Sequence, residues 1–581
     1  MANNFLPLSR NDMDKRRWDS CDFVLISGDA YVDHPSFGAA IISRVLESKG
    51  FRVGIIPQPD WKDPEAFRVL GKPNLAFLIS SGVIDSMVNH YTVNHKLRRQ
   101  DAYSPGGNIG FRPDRPSIVY TSMAKQAFKG VPVILGGLEP SLRRLSHYDY
   151  WSDKLRHSML LDSKADLLMY GMGENTMITI AEALKEGRSV SDLKDLRGTV
   201  CVVSSKDQLP KNCRILPSYE EVLSDKKIYA ESFHHQYKNT DPISAVPLAE
   251  PCGKRFVLQN PPALPLTQEE LDKVYALPFM RKAHSCYDSQ GGVPALKEVE
   301  FSLEHNRGCF GSCNFCAISF HQGRIVSSRS HDSVVAEAEK LISLPNFKGY
   351  IHDVGGPTAN FRGPACAKQL KSGACQNRSC LTPEPCKNLI VDHQDYLDLL
   401  RRLRTLKGIK KVFVRSGIRY DYLLLEKNEH FLRELCEHHI SGQLKVAPEH
   451  VSDRVLKAMN KQKHSLYKKF TQRYAAINQE LGKKQYLVPY FISSHPGSTL
   501  KDAIQLAEFM KRTHFIPDQV QDFYPTPGTI STCMYYSGLD PETMKPIEVV
   551  RKEKDKRMQR ALLQFNRPEN YHLVREALQM E

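Results

Sequence analysis

No uninterrupted apolar run in the 581-residue chain approaches the ~20 residues needed to cross a bilayer, so a soluble protein with no membrane partner is expected. The amino terminus, MANNFLPLSRNDMDKRRWDS, carries charges where a secretory signal needs its apolar stretch. Export is therefore not expected, and the cytoplasm is the default. Short-period repeats and low-complexity tracts are also missing, which leaves ordinary globular domains. A further absence lies inside one stretch. RGCFGSCNFC, from Arg307 to Cys316, packs three thiols into ten residues without a fourth.

The composition is 41% apolar and 25% charged, which suffices for full-sized cores. The length exceeds what one core organises, so two to four domains are expected. A net charge of +15 favours the approach of phosphate-bearing or other acidic partners, nucleic acid among them, without identifying one. The basic run RKEKDKRMQR, Arg551 to Arg560, reads as a solvated helix face. In a reducing compartment the 14 cysteines do not form a disulfide framework, and their clustering points to metal or redox chemistry.

Residues 22 to 57 read strand, helix, strand, with Gly50 placed to stop the helix. Further buried strands are expected in NLAFLISSG, VPVILGGLEP and ADLLMYGMGE. Residues 1–203 thus predict a doubly wound α/β domain. From 204 to 296 prolines accumulate and periodicity fades, as in an extended connection between folded units, although Thr267 is a good helix cap. From 297 to 540 strand candidates recur at VEFSL, GYIHDV, KVFVRSG, QLKVAPEH, YLVPYFIS and QVQDFYP, separated by helical patterns such as LDLLRRLRTL. Six such units make a partial parallel (β/α)6 barrel of TIM type, with chemistry at the strands' carboxyl ends. Residues 541–581 read as a basic helical extension.

Cys309, Cys313 and Cys316 follow the first barrel strand in the spacing Cys-x3-Cys-x2-Cys, and Gly308 and Gly311 let the backbone turn tightly there. Three thiolates on one short loop can hold an iron-sulfur cubane and leave one iron open to a small molecule. The competing reading is a structural zinc site completed by His305 or His321, but zinc ligands normally arrive as two separated pairs.

This spacing, with Phe315 before the last cysteine, resembles the signature of the radical S-adenosylmethionine (radical SAM) superfamily. RGCFGSCNFCAISFHQGR, HYDYW (His147 to Trp151), DVGGPTANF (Asp353 to Phe361) and LKVAPEH (Leu444 to His450) are similar to the YgiQ-type radical SAM family over most of the chain. The resemblance implies a 4Fe-4S cluster on the three cysteines, with S-adenosylmethionine bound through its amino and carboxylate groups to the open iron. One electron then cleaves the sulfonium to a 5'-deoxyadenosyl radical that attacks a substrate the resemblance leaves unassigned. The electron donor it implies is a protein such as flavodoxin or ferredoxin.

By the same resemblance Gly355 and Gly356 let main chain meet the methionine amino group. Ser416 and Glu449, at the next two strand ends, are candidate ligand contacts, although Glu449 can instead pair with Arg419. His495 reads as a structural histidine rather than a proton carrier, and Tyr350, Tyr490 and Tyr524 as core. Cys366, Cys375, Cys380 and Cys386 lie in a polar insertion at 362–388. Zinc, an auxiliary iron-sulfur cluster and unligated thiols all remain open for them.

In the first domain GDAYVDHPSFG sits at a strand-to-helix turn where open sheets bind ligands. Asp33 and His34 fail the cobalamin motif Asp-x-His-x-x-Gly, although Gly136 and Gly137 would leave room for a flat ring. The alternative is a substrate platform or lid, with His147 and Asp149 a buried polar pair. Two further functions stand beside the radical enzyme. One is a methyl or methylthio transferase on RNA or protein; the other is a non-catalytic metal-stabilised binding protein.

Overall fold

A computed structural model describes residues 4–517 and 521–581. The chain divides into two compact units, one of Met1–Ser224, Asn239–Phe301 and Phe320–Gln322, the other of Asp225–Lys238, Ser302–Ser319 and Gly323–Glu581. Among the described residues no helix is long and apolar enough to cross a membrane.

The first unit is built on a nine-stranded sheet. Its opening is the expected βαβ. Phe23–Ser27 pairs in parallel with Val53–Pro57 across the helix Gly38–Ser48, and Gly50 takes a left-handed φ of 84° beyond that helix. Ala76–Ser80, Val133–Gly136 and Leu167–Met169 extend the parallel sheet on the other side of the first strand. Alternate side chains of these strands enter two cores. Phe23, Leu25, Val53, Ile55, Leu78 and Ile134 join one, while Val24, Ile26, Phe77, Ile79, Val133 and Leu135 join the other. Each such side chain contributes about 1.5–3 kcal/mol of burial, which is why the strands read as continuous apolar runs.

The segment 204–296 does not act as a simple connection. It supplies three strands to the same sheet, Arg214–Ile215, Leu248–Cys252 and Arg255–Gln259; the last two form an antiparallel hairpin that pairs with Thr199–Val203. The prolines that suggested a linker flank or occupy this short hairpin, as Pro247 and Pro251 do. Proline is tolerated where no ladder donor is needed. The same segment holds the helix Gln268–Ala276, with its capping box between Thr267 and Glu270. It also lends the helix Lys226–Lys238 to the second unit, where Tyr229 meets Tyr536 edge-on at 5.2 Å.

The second unit is the partial barrel. Ser302–Glu304 pairs in parallel with Asp353–Gly355, and Tyr350–Ile351 with Lys411–Val412. Ile418 bridges to Val446, Gln443–Glu449 pairs with Tyr486–Ser493, and Ile492–Ser493 pairs with Gln521–Asp522. All these pairings are parallel and follow chain order, so the strands' carboxyl ends share one rim. In QVQDFYP, Gln519 and Val520 lie outside the described residues, and the strand is Gln521–Asp522. The amphipathic helices appear as Gln394–Thr405, His464–Glu480 and Leu500–Arg512, the last capped by Thr499 and Asp502. The basic run lies on the helix Glu553–Leu563, whose Met558 and Leu562 pack with Ala503 and Ala507. Tyr350 and Tyr490 are not core residues; they are 40% and 42% exposed. Tyr524 is half-buried.

Candidate metal and cofactor site

The first barrel strand runs into Asn306–Arg307, which pairs with Ser327–Ser328 and launches the triple-cysteine loop. Gly308 turns the chain with a φ of 83°. The loop is pinned by main-chain bonds from Cys309 N to the Gly323 carbonyl (3.1 Å), Asn314 N to the Met459 carbonyl (3.0 Å) and Ser531 N to the Asn314 carbonyl (2.9 Å). All three cysteines are partly buried.

Polar hydrogens converge on their sulfurs. Arg419 Nη1 donates to Cys313 Sγ at 3.1 Å, Gly311 N–H to Cys309 Sγ at 3.4 Å, and Thr358 Oγ1 lies 3.5 Å from Cys309 Sγ. Gly311 is required by close approach, because a Cβ there would stand 2.7 Å from Arg419 Nη1. Burial raises the Cys309 thiol pKa against the influence of Thr358 and Arg419, and burial with Cys313 and Cys309 nearby pushes Cys316 up to about 12. Burial thus favours the neutral thiol at Cys309 and Cys316. Thiols are weak acceptors for a guanidinium, so the donors suit sulfurs that carry negative charge.

Arg419 is not the partner of Glu449. Its fork closes on Asp421, Nε to Oδ1 at 2.9 Å and Nη2 to Oδ2 at 2.6 Å, two residues along the same turn. Asn360 fixes its backbone by accepting from Arg419 N at 2.8 Å. Burial alone would raise the Asp421 carboxyl, yet Arg419 holds it below the usual range. Glu449 remains at the end of its strand, buried, with a left-handed φ of 67° beside a register shift. Among the described residues no hydrogen bond or ion pair engages its carboxylate, and burial raises its pKa against Lys461 and Arg419. Strain of this kind in a non-glycine residue concentrates at functional positions.

Gly355 and Gly356 fill a crowded corner. A Cβ on Gly355 would overlap Ser416 Oγ and Asp353, and one on Gly356 would overlap Asn306 Oδ1. Ser416 therefore spends its hydroxyl on Asp353, which also accepts from Arg415 N (2.7 Å) and Ser416 N (3.0 Å). Asn306 Oδ1 is buried without a hydrogen-bond partner. Phe315 stands edge-on to His495 at 6.1 Å. His495 is a structural residue, its Nδ1 2.7 Å from the Pro496 carbonyl and its Nε2 2.6 Å from Ser531 Oγ, with burial pushing its pKa down to about 3.

The two histidines offered for zinc are engaged elsewhere. His305 Nε2 is 2.9 Å from the Ala359 carbonyl and its Nδ1 faces Arg362, while His321 Nδ1 meets Ser141 Oγ at 2.8 Å. Among the described residues no three His, Cys, Asp or Glu side chains are arranged about one ion. A single zinc with sulfur at ~2.3 Å brings its ligands within about 4 Å of each other, whereas cubane thiolates each bind a different iron and stand farther apart.

Sequence reasoning missed Asp421, Thr358, Asn360, Asn306 and Tyr237. Tyr237, half-buried on the helix Lys226–Lys238, lies within electrostatic range of Arg324 and all three loop cysteines. Thr358 and Asn360 stood inside the quoted DVGGPTANF.

The turn considered for cobalamin is occupied by its own contacts. Asp33 is ion-paired with fully buried Arg44 and accepts from Met280 N at 3.1 Å, and Ser36 N donates to His34 Nδ1 at 3.1 Å. A Cβ on Gly137 would stand 2.8 Å from Ser80 Oγ, so this backbone already packs against protein. His147 and Asp149 have separate partners, the Leu145 carbonyl for the first and Arg115 with Ser152 for the second.

Comparison with known proteins accords with this architecture. Residues 5–302 match the family model "Radical SAM N-terminal", 303–510 "Radical SAM superfamily", and 518–581 a domain of unknown function, DUF3362. The chain is 55% identical over 575 residues to a UPF0313 protein of Clostridium botulinum (strain ATCC 19397 / Type A), covering 99% of this chain and 89% of the relative. It is 54% identical over 576 residues to one of Clostridium perfringens (strain 13 / Type A), covering 99% and 87%. Among solved structures, the radical S-adenosylmethionine methyltransferase TsrM from Kitasatospora setae, with tryptophan substrate and a SAM analogue bound, aligns with a TM-score of 0.49 at 12% identity over 88% of this chain and 76% of that one. The form with cobalamin and a [4Fe-4S] cluster bound aligns with 0.48 at 13% over 88% and 74%. A radical SAM domain implies a 4Fe-4S cluster and S-adenosylmethionine, and on its full-length relatives the chain belongs to the UPF0313 (YgiQ-type) family of radical SAM proteins.

Proposed function

We propose that Cys309, Cys313 and Cys316 hold the 4Fe-4S cluster of a radical SAM enzyme acting on a still unassigned substrate. The observation that carries this reading is Arg419 Nη1 at 3.1 Å from Cys313 Sγ, on a loop whose other donors also face sulfur. When bound, the cluster and S-adenosylmethionine supply reductive cleavage of the sulfonium and a 5'-deoxyadenosyl radical. The chain's own work is to hold and orient. Arg419, kept in place by Asp421 and Asn360, offsets the negative charge of the three thiolates. The Gly311 amide and Thr358 hydroxyl stabilise the Cys309 thiolate by hydrogen bonding. Glu449, with its strained backbone and uncommitted carboxylate, is the best-placed acceptor for hydroxyl or ammonium donors of the ligand. Ser416 acts through Asp353 to shape the Gly355–Gly356 corner. A small electron-transfer protein such as flavodoxin or ferredoxin delivers the electron.

The test is anaerobic reconstitution with iron and sulfide, reduction by dithionite, and assay of 5'-deoxyadenosine. Wild type is expected to form it, and alanine at any one of the three cysteines to abolish it. A loaded cluster with no 5'-deoxyadenosine under reduction would overturn the proposal.

A further inference from the structure

The insertion between the second and third barrel strands is short of core. Ala365, Ala374 and Leu381 are its buried apolar side chains, and beyond the helix Ala367–Ser372 it has no regular element. A polar loop of this kind gains too little from burial to offset ordering some two dozen residues at about 1–2 kcal/mol each. Yet it is held at defined points. Cys386 N donates to the Cys380 carbonyl at 2.9 Å, Ile390 N to the Ala365 carbonyl at 2.8 Å, and Gln369 Nε2 lies 3.9 Å from Cys380 Sγ. The four thiols share this knot. All four are half-buried and unbridged, and Cys380 lies within electrostatic range of Cys366 and Cys386.

One cation stands at the centre of the knot. Arg324 donates from Nη1 to the Cys375 carbonyl at 2.6 Å and from Nη2 to the Arg378 carbonyl at 2.9 Å, and its charge acts on the Cys380 thiol. A guanidinium fixed among thiols offsets the negative charge they acquire on ligation. Their sequence spacing, with eight, four and five residues between successive cysteines, lacks the short paired loops that zinc sites prefer.

The knot is also tied to the first loop. Cys309 and Cys380 pack against one apolar cluster that includes Phe310, Phe361 and Leu381. Asn460 Nδ2 donates to the Ser312 carbonyl at 2.7 Å and to Ser379 Oγ at 2.9 Å, bridging the two cysteine loops.

We infer that Cys366, Cys375, Cys380 and Cys386 ligate a second iron-sulfur cluster, adjacent to the triple-cysteine loop. Four thiolates saturate it, so it leaves no iron open to a small molecule. The inference stands on its own residues, whatever the first loop binds.

Iron and acid-labile sulfide are counted on the full chain after anaerobic reconstitution. Wild type is expected to hold about eight irons, and C309A/C313A/C316A about four, with a 4Fe-4S electron paramagnetic resonance signal on reduction. The reciprocal variant C380S/C386S should also fall to about four, which decides the matter if the triple variant fails to fold. A folded C309A/C313A/C316A that holds no iron, or an iron count in C380S/C386S equal to wild type, would overturn the inference. So would about one zinc per chain retained by C309A/C313A/C316A.

Discussion

Replacing Asp421 by alanine leaves the Arg419 guanidinium buried beside the cysteine loop without its counter-ion. The pair is bidentate, with its shorter bond at 2.6 Å, and both side chains are almost fully inaccessible. At that separation and an effective dielectric of about 20 the gross attraction is about 6 kcal/mol. Desolvation of both ions offsets part of it, so breaking the pair should cost about 3–5 kcal/mol. That is a large fraction of a normal folding stability. The assay is urea unfolding of the cluster-free chain, read as a midpoint shift at constant slope. The control is R419M/D421L, which removes both charges; apolar replacement of a whole buried pair is close to neutral, so its stability should return to within about 1 kcal/mol of wild type. Iron retention should not return with it, because the donor to Cys313 is gone. A single variant that loses less than about 1 kcal/mol, or a double variant as unstable as the single, would refute the reasoning that Asp421 exists to hold a charge against the sulfurs.

Gly356→Ala should cost about 1–3 kcal/mol by driving a methyl into Asn306, and the N306A background should recover part of that loss in thermal unfolding. Asn460→Ala should reduce iron retention more than its modest surface position suggests, since one amide serves both Ser312 and Ser379; iron count after gel filtration reads this. Acid should unfold the chain early. His439 is buried and neutral, its pKa pushed down to about 4 by burial. Because the unfolded histidine binds a proton near pH 6.5 and the folded one does not until about pH 4, stability is full above about 6.5 and falls by about 1.4 kcal/mol per pH unit between those values. His439→Gln should remove one such increment from the slope of stability against pH, and an unchanged slope would count against a buried neutral imidazole.

The parts legible in the sequence were those where one periodicity dominates. Strands buried on both faces announced the parallel sheet, because Phe23 to Ile26 must all be apolar when alternate residues feed opposite cores. The triple-cysteine loop announced itself because three thiols in ten residues have few physical uses. The hairpin Leu248–Cys252 with Arg255–Gln259 was misread as linker, since five-residue strands containing proline give neither a two-residue alternation nor a long apolar run. Tyr350 and Tyr490 were read inward because they sit among apolar strand residues, but their side chains point to solvent. The partner of Arg419 was invisible for a different reason. Asp421 is two positions away, which in an extended chain faces the same side without contact, and only the turn into the helix Tyr420–Leu423 folds the carboxylate back onto the guanidinium.

The two cysteine groups differ in what surrounds their cations, and that difference separates their uses. Arg419 spends two donors on a carboxylate and leaves one for a sulfur, so the charge near Cys313 is fixed in place while Glu449 nearby keeps a carboxylate uncommitted. An arrangement of this kind keeps unspent polar capacity for something that arrives. Arg324 instead spends its outer nitrogens on the carbonyls of Cys375 and Arg378, closing the loop on itself. Donors committed to main-chain carbonyls in this way rigidify the loop. In the function proposed above, substrate chemistry therefore sits at the rim that carries Cys309, Cys313, Cys316 and Glu449. On the inference of a second cluster, all four thiols of the insertion serve one saturated centre, and losing any one of them should loosen the segment from 366 to 386 before it disturbs the rim.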